Sequence, residues 1–240
     1  MNEIESRNAL SVKNLTVKLG NQIVIDNLSF EVTAGESLAI IGPNGAGKTV
    51  LFRALIGVVP YTGEINFAPE TTIGYVPQKL DIERNLPLSL FDLLASKNNS
   101  REKIIENLKL VRLSENLLRL PIGALSGGQF QKALIAFALL QDPKVLLFDE
   151  PTAGVDTPGE EHIYETIHRL QKEKGFTMLL ISHDLSLVYR YADKVLCLNK
   201  ENICFGEPEA MLAPAILAKL YGEDRSFYKH HHHQRESRIK

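Results

Sequence analysis

The sequence predicts an α/β fold: a mostly parallel sheet as its core, an antiparallel β subdomain, and a helical subdomain inserted into the core. Three observations predict it. Residues 37–41, 145–148 and 178–181 are short runs, apolar but for Ser37, as strands buried on both faces require. Helix-like segments follow the first two runs, and strand–helix–strand order argues for parallel pairing. Two alternating stretches precede the first run, while a long, differently patterned segment separates it from the second.

Taken in order, Leu10, Val12, Leu15, Val17 and Leu19 form one alternating stretch and Ile23, Ile25, Leu28, Phe30 and Val32 another. The polar turn Gly20, Asn21 and Gln22 lies between them, so they read as strands. Residues 37–41 read as a buried strand. A glycine-rich turn and an apolar helix from Lys48 to about Ile56 follow, and Gly57 can end that helix.

Residues 79–120 change character. Residues 86–94 are apolar. Residues 101–113 are charged, with Ile104, Ile105, Leu108 and Val111 at helical spacing. These features predict a helical subdomain over about 79–135. The core resumes with a strand at 145–148. A helix then opens with Thr157 as N-cap, Pro158 at the first helical position and Glu160 completing a capping box. Residues 178–181 form a further strand. Cys197 and Cys204 can face each other across a hairpin that turns at residues 199–202, and they are expected as packed thiols. The folded domain is expected over 9–223, and 224–240 form a polar, His-rich tail.

Hydrophobic residues make up 44% and charged residues 23% of the 240, so a sizeable core can be buried. The net charge of −2 supplies no basic field for a nucleic-acid partner. No apolar run approaches the roughly 20 residues of a membrane helix. The first residues are polar and lack a signal-peptide core. The chain is therefore expected to be soluble, and any membrane connection to come through a partner.

Gly42, Pro43, Asn44, Gly45, Ala46, Gly47, Lys48 and Thr49 match the pattern G-x-x-x-x-G-K-[ST] between a predicted strand and a predicted helix. The backbone N–H groups of such a turn and its helix start favour phosphate oxygens. Lys48 is placed to reach the β- and γ-phosphates of ATP, and the Thr49 hydroxyl to bind Mg²⁺. The strand at 145–148 delivers Asp149 and Glu150 to its C-terminal end, where open α/β sheets bind ligands. Asp149 should hold the Mg²⁺ shell, and Glu150 should polarise the attacking water. Ser126, Gly127, Gly128 and Gln129 open a predicted helix as a second anion-binding start, this time without a lysine. One nucleotide hardly needs two cradles within one chain. A head-to-tail homodimer, with each ATP between the two turns, accommodates both.

With Leu125 these residues spell LSGGQ, and here the chain resembles the ABC ATPase family over residues 10–222. The resemblance implies a role for Gln78, which ends Tyr75, Val76, Pro77 and Gln78: it would touch Mg²⁺ or water and report to the membrane subunit. It implies that Ala153 to Asp156 cross the dimer interface and that His183 contacts the γ-phosphate. The family stacks adenine on an aromatic residue where this chain has Leu19, so weaker stacking or a neighbouring side chain is expected.

The resemblance further implies a peripheral subunit on the cytoplasmic face of the membrane, acting with integral permease subunits and an extracytoplasmic solute-binding protein. Residues 76–81, 85–89, 198–208 and 220–222 are similar to the zinc and manganese importers of the family. The stretch 86–94 sits where the family receives the permease. His230 to His233 offer imidazoles suited to Zn²⁺, with a solvated tail or part of an engineered tag as the alternative readings. Alternatives are the same ATPase serving another substrate or direction, or a soluble ABC ATPase acting on nucleic acid or ribosomes. A nucleotide kinase would leave LSGGQ and His183 unexplained.

Overall fold

The computed structural model describes residues 8–78, 87–97, 99–151 and 157–222. Residues 153–156, residues 79–86 and the His-rich tail, which the sequence singled out, lie outside them.

Strands β1 (Asn8–Leu19) and β2 (Gln22–Thr33) pair antiparallel around the expected turn, and β4 (Thr62–Phe67) pairs antiparallel with the other edge of β1. The main sheet has the order β5-β6-β7-β3-β8-β9. Its strands are β3 (Ser37–Ile41), β5 (Ile73–Val76), β6 (Val145–Asp149), β7 (Thr177–Ile181), β8 (Lys194–Asn199) and β9 (Glu201–Gly206). The first five in that order run parallel, and β9 closes the edge antiparallel to β8.

The helices are α1 (Lys48–Leu55), α2 (Leu90–Ala95), α3 (Arg101–Leu110), α4 (Gly127–Leu139), α5 (Thr157–Lys174), α6 (Leu185–Tyr191), α7 (Pro208–Met211) and α8 (Pro214–Tyr221). Strand side chains alternate between faces, and the core divides accordingly. Leu38, Ile40, Val145, Leu147, Leu179 and Ile181 pack towards α1 and the three-stranded sheet. Leu146, Phe148, Met178 and Leu180 pack with α2, α3, α4 and α5. Ala39, Ile41, Val195 and Cys197 pack with α6 and α8. All five residues of β3, β6 and β7 are buried, which is why their sequences read as continuous apolar runs.

Two local expectations are corrected. Thr157 occupies the first helical position of α5 rather than its cap. Cys197 and Cys204 do face each other across the β8–β9 hairpin, but as a disulfide rather than as two thiols. Among the described residues no helix is long and apolar enough to cross a membrane.

Candidate functional site

The turn between β3 and α1 is shaped by close packing. A Cβ on Gly42 would lie 2.0 Å from the Leu198 carbonyl oxygen of β8, so only glycine fits there. Gly47 caps α1 at φ 98°, in the left-handed region that glycine adopts without strain. The Ala46 carbonyl accepts a hydrogen bond from the Lys200 N–H (3.2 Å), and the Lys200 carbonyl accepts one from the Asp26 N–H (2.8 Å). The β8–β9 turn thus ties the glycine-rich turn to β2. Lys48 is 7% exposed, and its ammonium donates to the carbonyls of Gly42 (2.8 Å) and Pro43 (3.2 Å). Burial lowers its pKa, opposed by the charges of Glu150 and Asp149. An incoming phosphate would exchange those carbonyls for charged oxygens, a stronger kind of hydrogen bond.

Strand phase brings Asp149 to the same place. It is in step with Val145 and Leu147, which face α1, so its carboxylate meets the first turn of that helix. Thr49 donates to Asp149 Oδ1 (3.1 Å), and Tyr75 of β5 donates to Oδ2 (3.2 Å). Burial raises the Asp149 pKa, while those two hydroxyls and Arg53 pull it down. Burial and the Asp149 charge push the Tyr75 phenol up to about 12, so it stays a donor.

Glu150 follows at φ 48°, an unusual conformation for a residue with a side chain. That turn swings its carboxylate away from the strand. Gln78 Nε2 donates to Oε2 (2.5 Å), and His183 Nε2 lies 2.5 Å from Oε1. The His183 hydrogen bond is the main cause of a lowered Glu150 pKa; burial opposes it, and the charges of His183 and Lys48 and the Gln78 bond add to it.

These groups line a cavity of about 900 Å³. Residues 43–50, Gln78, Glu150 and His183 form one part of its wall, and Gln22, Val24, Lys200, Leu185 and Tyr221 complete it. Leu19 is 42% exposed and is not a core residue; Gln22 and Val24 line the cavity from that corner instead.

The serine-glycine turn lies elsewhere. Ser126 caps α4: its hydroxyl accepts from the Gln129 N–H (3.3 Å), and Gln129 Oε1 accepts from the Ser126 N–H (3.0 Å). This reciprocal capping box leaves the Ser126 hydroxyl proton free to donate. The first N–H groups of any helix lack intrahelical partners, so Gly127 and Gly128 present donors as well. They line a second cavity of about 690 Å³ with Arg112, Lys132 and His162, and it shares no lining residue with the first.

Comparison with known proteins decides the family. The sequence profile described as ABC transporter matches residues 25–153, more than half of the chain. The chain belongs to the ABC transporter family. The zinc import ATP-binding protein ZnuC of Magnetococcus marinus is 37% identical over 233 residues, covering 93% of this chain and 88% of its own. The ZnuC of Yersinia enterocolitica is 38% identical, with 94% and 92% covered. A metal-chelate type ABC transporter solved in an inward-facing conformation superposes with a TM-score of 0.80 at 28% identity, covering 89% of this chain and 88% of its own. The chain is accordingly an ATP-binding, ATP-hydrolysing subunit of this family.

The structure brings together Lys48, Thr49, Gln78, Asp149, Glu150 and His183. It keeps residues 126–129 apart from them within one chain. Sequence reasoning missed Tyr75 as a partner of Asp149, although it lies three residues before Gln78. It also missed the Ser126–Gln129 capping box, which the S-x-x-Q spacing signals.

Proposed function

We propose that this ATPase powers import of a divalent metal ion, zinc or manganese, as a homodimer bound to integral-membrane permease subunits at the cytoplasmic face of the membrane. An extracytoplasmic solute-binding protein would deliver the metal. The carrying observation is the separation of the two anion-binding turns into different cavities. A second copy in head-to-tail arrangement offers its Ser126 turn to the ATP held by residues 42–49. The metal reading rests on the zinc-importing relatives and on the imidazoles of His230 to His233.

Oxygen donors fit Mg²⁺ here: Thr49 and Asp149 are already in contact, with Gln78 along the same wall. Mg²⁺ would neutralise charge on the β- and γ-phosphates when bound. Lys48 holds the same phosphates. Glu150 takes a proton from the attacking water as the water oxygen bonds to the γ-phosphorus and the bond to the β–γ bridging oxygen breaks. Its resting partners hold it as a weak base. Turning Gln78 and His183 towards the nucleotide would restore its basicity and place the imidazole on the γ-phosphate. Loss of the γ-phosphate removes the bridge between copies and lets them part.

The test is reconstitution in vesicles with the membrane permease that copurifies with this subunit. Zinc- or manganese-loaded solute-binding protein should stimulate ATP hydrolysis, and the metal should accumulate on the side that holds the ATPase. Stimulation by an organic solute, with metals inert, would overturn the cargo. Copurification with ribosomes or nucleic acid instead of a permease would overturn the transport partners.

A further inference from the structure

Asp149 is 1% exposed, and both of its carboxylate oxygens are engaged by hydroxyl groups from different elements. The Thr49 hydroxyl on Oδ1 can bind a cation through a lone pair while it still donates its proton, so its geometry is shared between Asp149 and the metal. The Tyr75 hydroxyl faces no such competition. It comes from β5, whose pairing places Tyr75 beside Leu147 and Val76 beside Phe148 of β6. Tyr75 shares the α1-facing side with Ile73, and its ring meets Phe52 edge-on with centroids 6.3 Å apart. The phenol is therefore held by strand pairing below and by an aromatic contact beside.

The geometry points to Tyr75 as a positioning residue for the metal-bearing carboxylate: its hydroxyl fixes Asp149 Oδ2 so that Oδ1 alone is presented to the cation shell. This inference rests on the proposed Mg²⁺ role of Asp149. A hydrogen bond to one oxygen of a carboxylate sets the plane of the group, and outer partners of this kind tune metal affinity by about 10–100-fold. The same residue stands three positions before Gln78, so the strand that delivers Gln78 to Glu150 also orients Asp149. One short segment thereby sets both acidic groups of the site.

The experiment compares the full-length protein with Tyr75→Phe, which keeps the ring and removes only the hydroxyl. ATP affinity is measured in EDTA and across a Mg²⁺ titration, with the Mg²⁺ midpoint of hydrolysis as a second readout. Tyr75→Phe should leave affinity in EDTA unchanged and raise the Mg²⁺ midpoint about tenfold. Phe52→Leu, which loosens the ring contact but keeps the hydroxyl, should lower the Tm and leave the midpoint in place. A lowered Tm with an unmoved Mg²⁺ midpoint in Tyr75→Phe would make the residue a packing element only and overturn the assignment. If Tyr75→Phe does not fold, 3-fluorotyrosine at position 75, a stronger donor of nearly the same shape, should lower the midpoint; no change there overturns the proposal equally. A wild-type protein whose nucleotide affinity ignores Mg²⁺ would instead overturn the reading of Asp149 itself.

Discussion

The proposed mechanism gives Lys48 and Glu150 opposite duties, and single substitutions should separate them. Lys48→Ala removes a cation that the loop carbonyls hold ready, so ATP affinity should fall; unchanged affinity by titration calorimetry would contradict the phosphate role. Glu150→Gln keeps the shape of the side chain and deletes the base. ATP should still bind, and phosphate release should slow by roughly 10²–10⁴-fold. That these two residues line one cavity was legible because each lies inside a short motif at fixed spacing. Tyr75 was not, because its bond to Asp149 joins residues 74 positions apart and exists only through β5–β6 register. The His168 ring lies 5.1 Å from that of Tyr191 and is partly buried. Burial, aided by the Lys172 charge and opposed by Asp193, lowers its pKa from 6.5. A lowered imidazole pKa means that the unfolded chain binds the proton more readily. The fold therefore loses this contribution as pH falls through the range of a free imidazole. An NMR titration of the His168 ring should show a midpoint below 6.5.

At the scale of elements, the turns carry the argument. Gly42→Ala would drive a methyl group into the backbone of β8. Neither partner is a flexible side-chain end, so β3, β8 and the glycine-rich turn must shift together. The expected outcome is a protein that retains its helical signal but binds ATP far more weakly, read by circular dichroism and titration together. The buried strands β3, β6 and β7 were legible because both faces are covered and four of the five residues in each are apolar. Strands β4 and β5 escaped for physical reasons. β4 pairs at a sheet edge and is at most half-buried, so its sequence shows no clear alternation. β5 has four residues, and one is Gly74, where a Cβ would lie 2.4 Å from Leu146 Cδ1. Close packing there selected a residue that reads as a turn. Thr157 was misread as the cap of α5, because a threonine before proline fits a cap and a first helical turn alike.

For the whole molecule, the proposed mechanism makes each chain supply two half-sites, one at each of its two separate cavities. Ser126 is exposed at the start of α4, so Ser126→Arg should be accommodated by the monomer while filling the space a phosphate needs. Lys48→Ala disables the other half-site. Each variant alone should hydrolyse ATP poorly, because every paired site would contain a defective half. Mixed in equal amounts, the two should recover activity. In a mixed dimer the intact glycine-rich turn of one copy meets the intact serine-glycine turn of the other, so one of its two sites is whole. Random pairing makes half of the dimers mixed, so activity should approach about a quarter of wild type if the sites act independently. A catalytic site built within one chain predicts no recovery at any ratio. A site that never uses the Ser126 turn predicts that Ser126→Arg is active alone. Light scattering provides the structural counterpart. Glu150→Gln should double in mass with ATP and Mg²⁺ and return to the monomer when EDTA is added, whereas Glu150→Gln combined with Ser126→Arg should stay monomeric. The pairing is then driven by the nucleotide bridge rather than by a permanent apolar interface, which is what a subunit that opens after each hydrolysis requires.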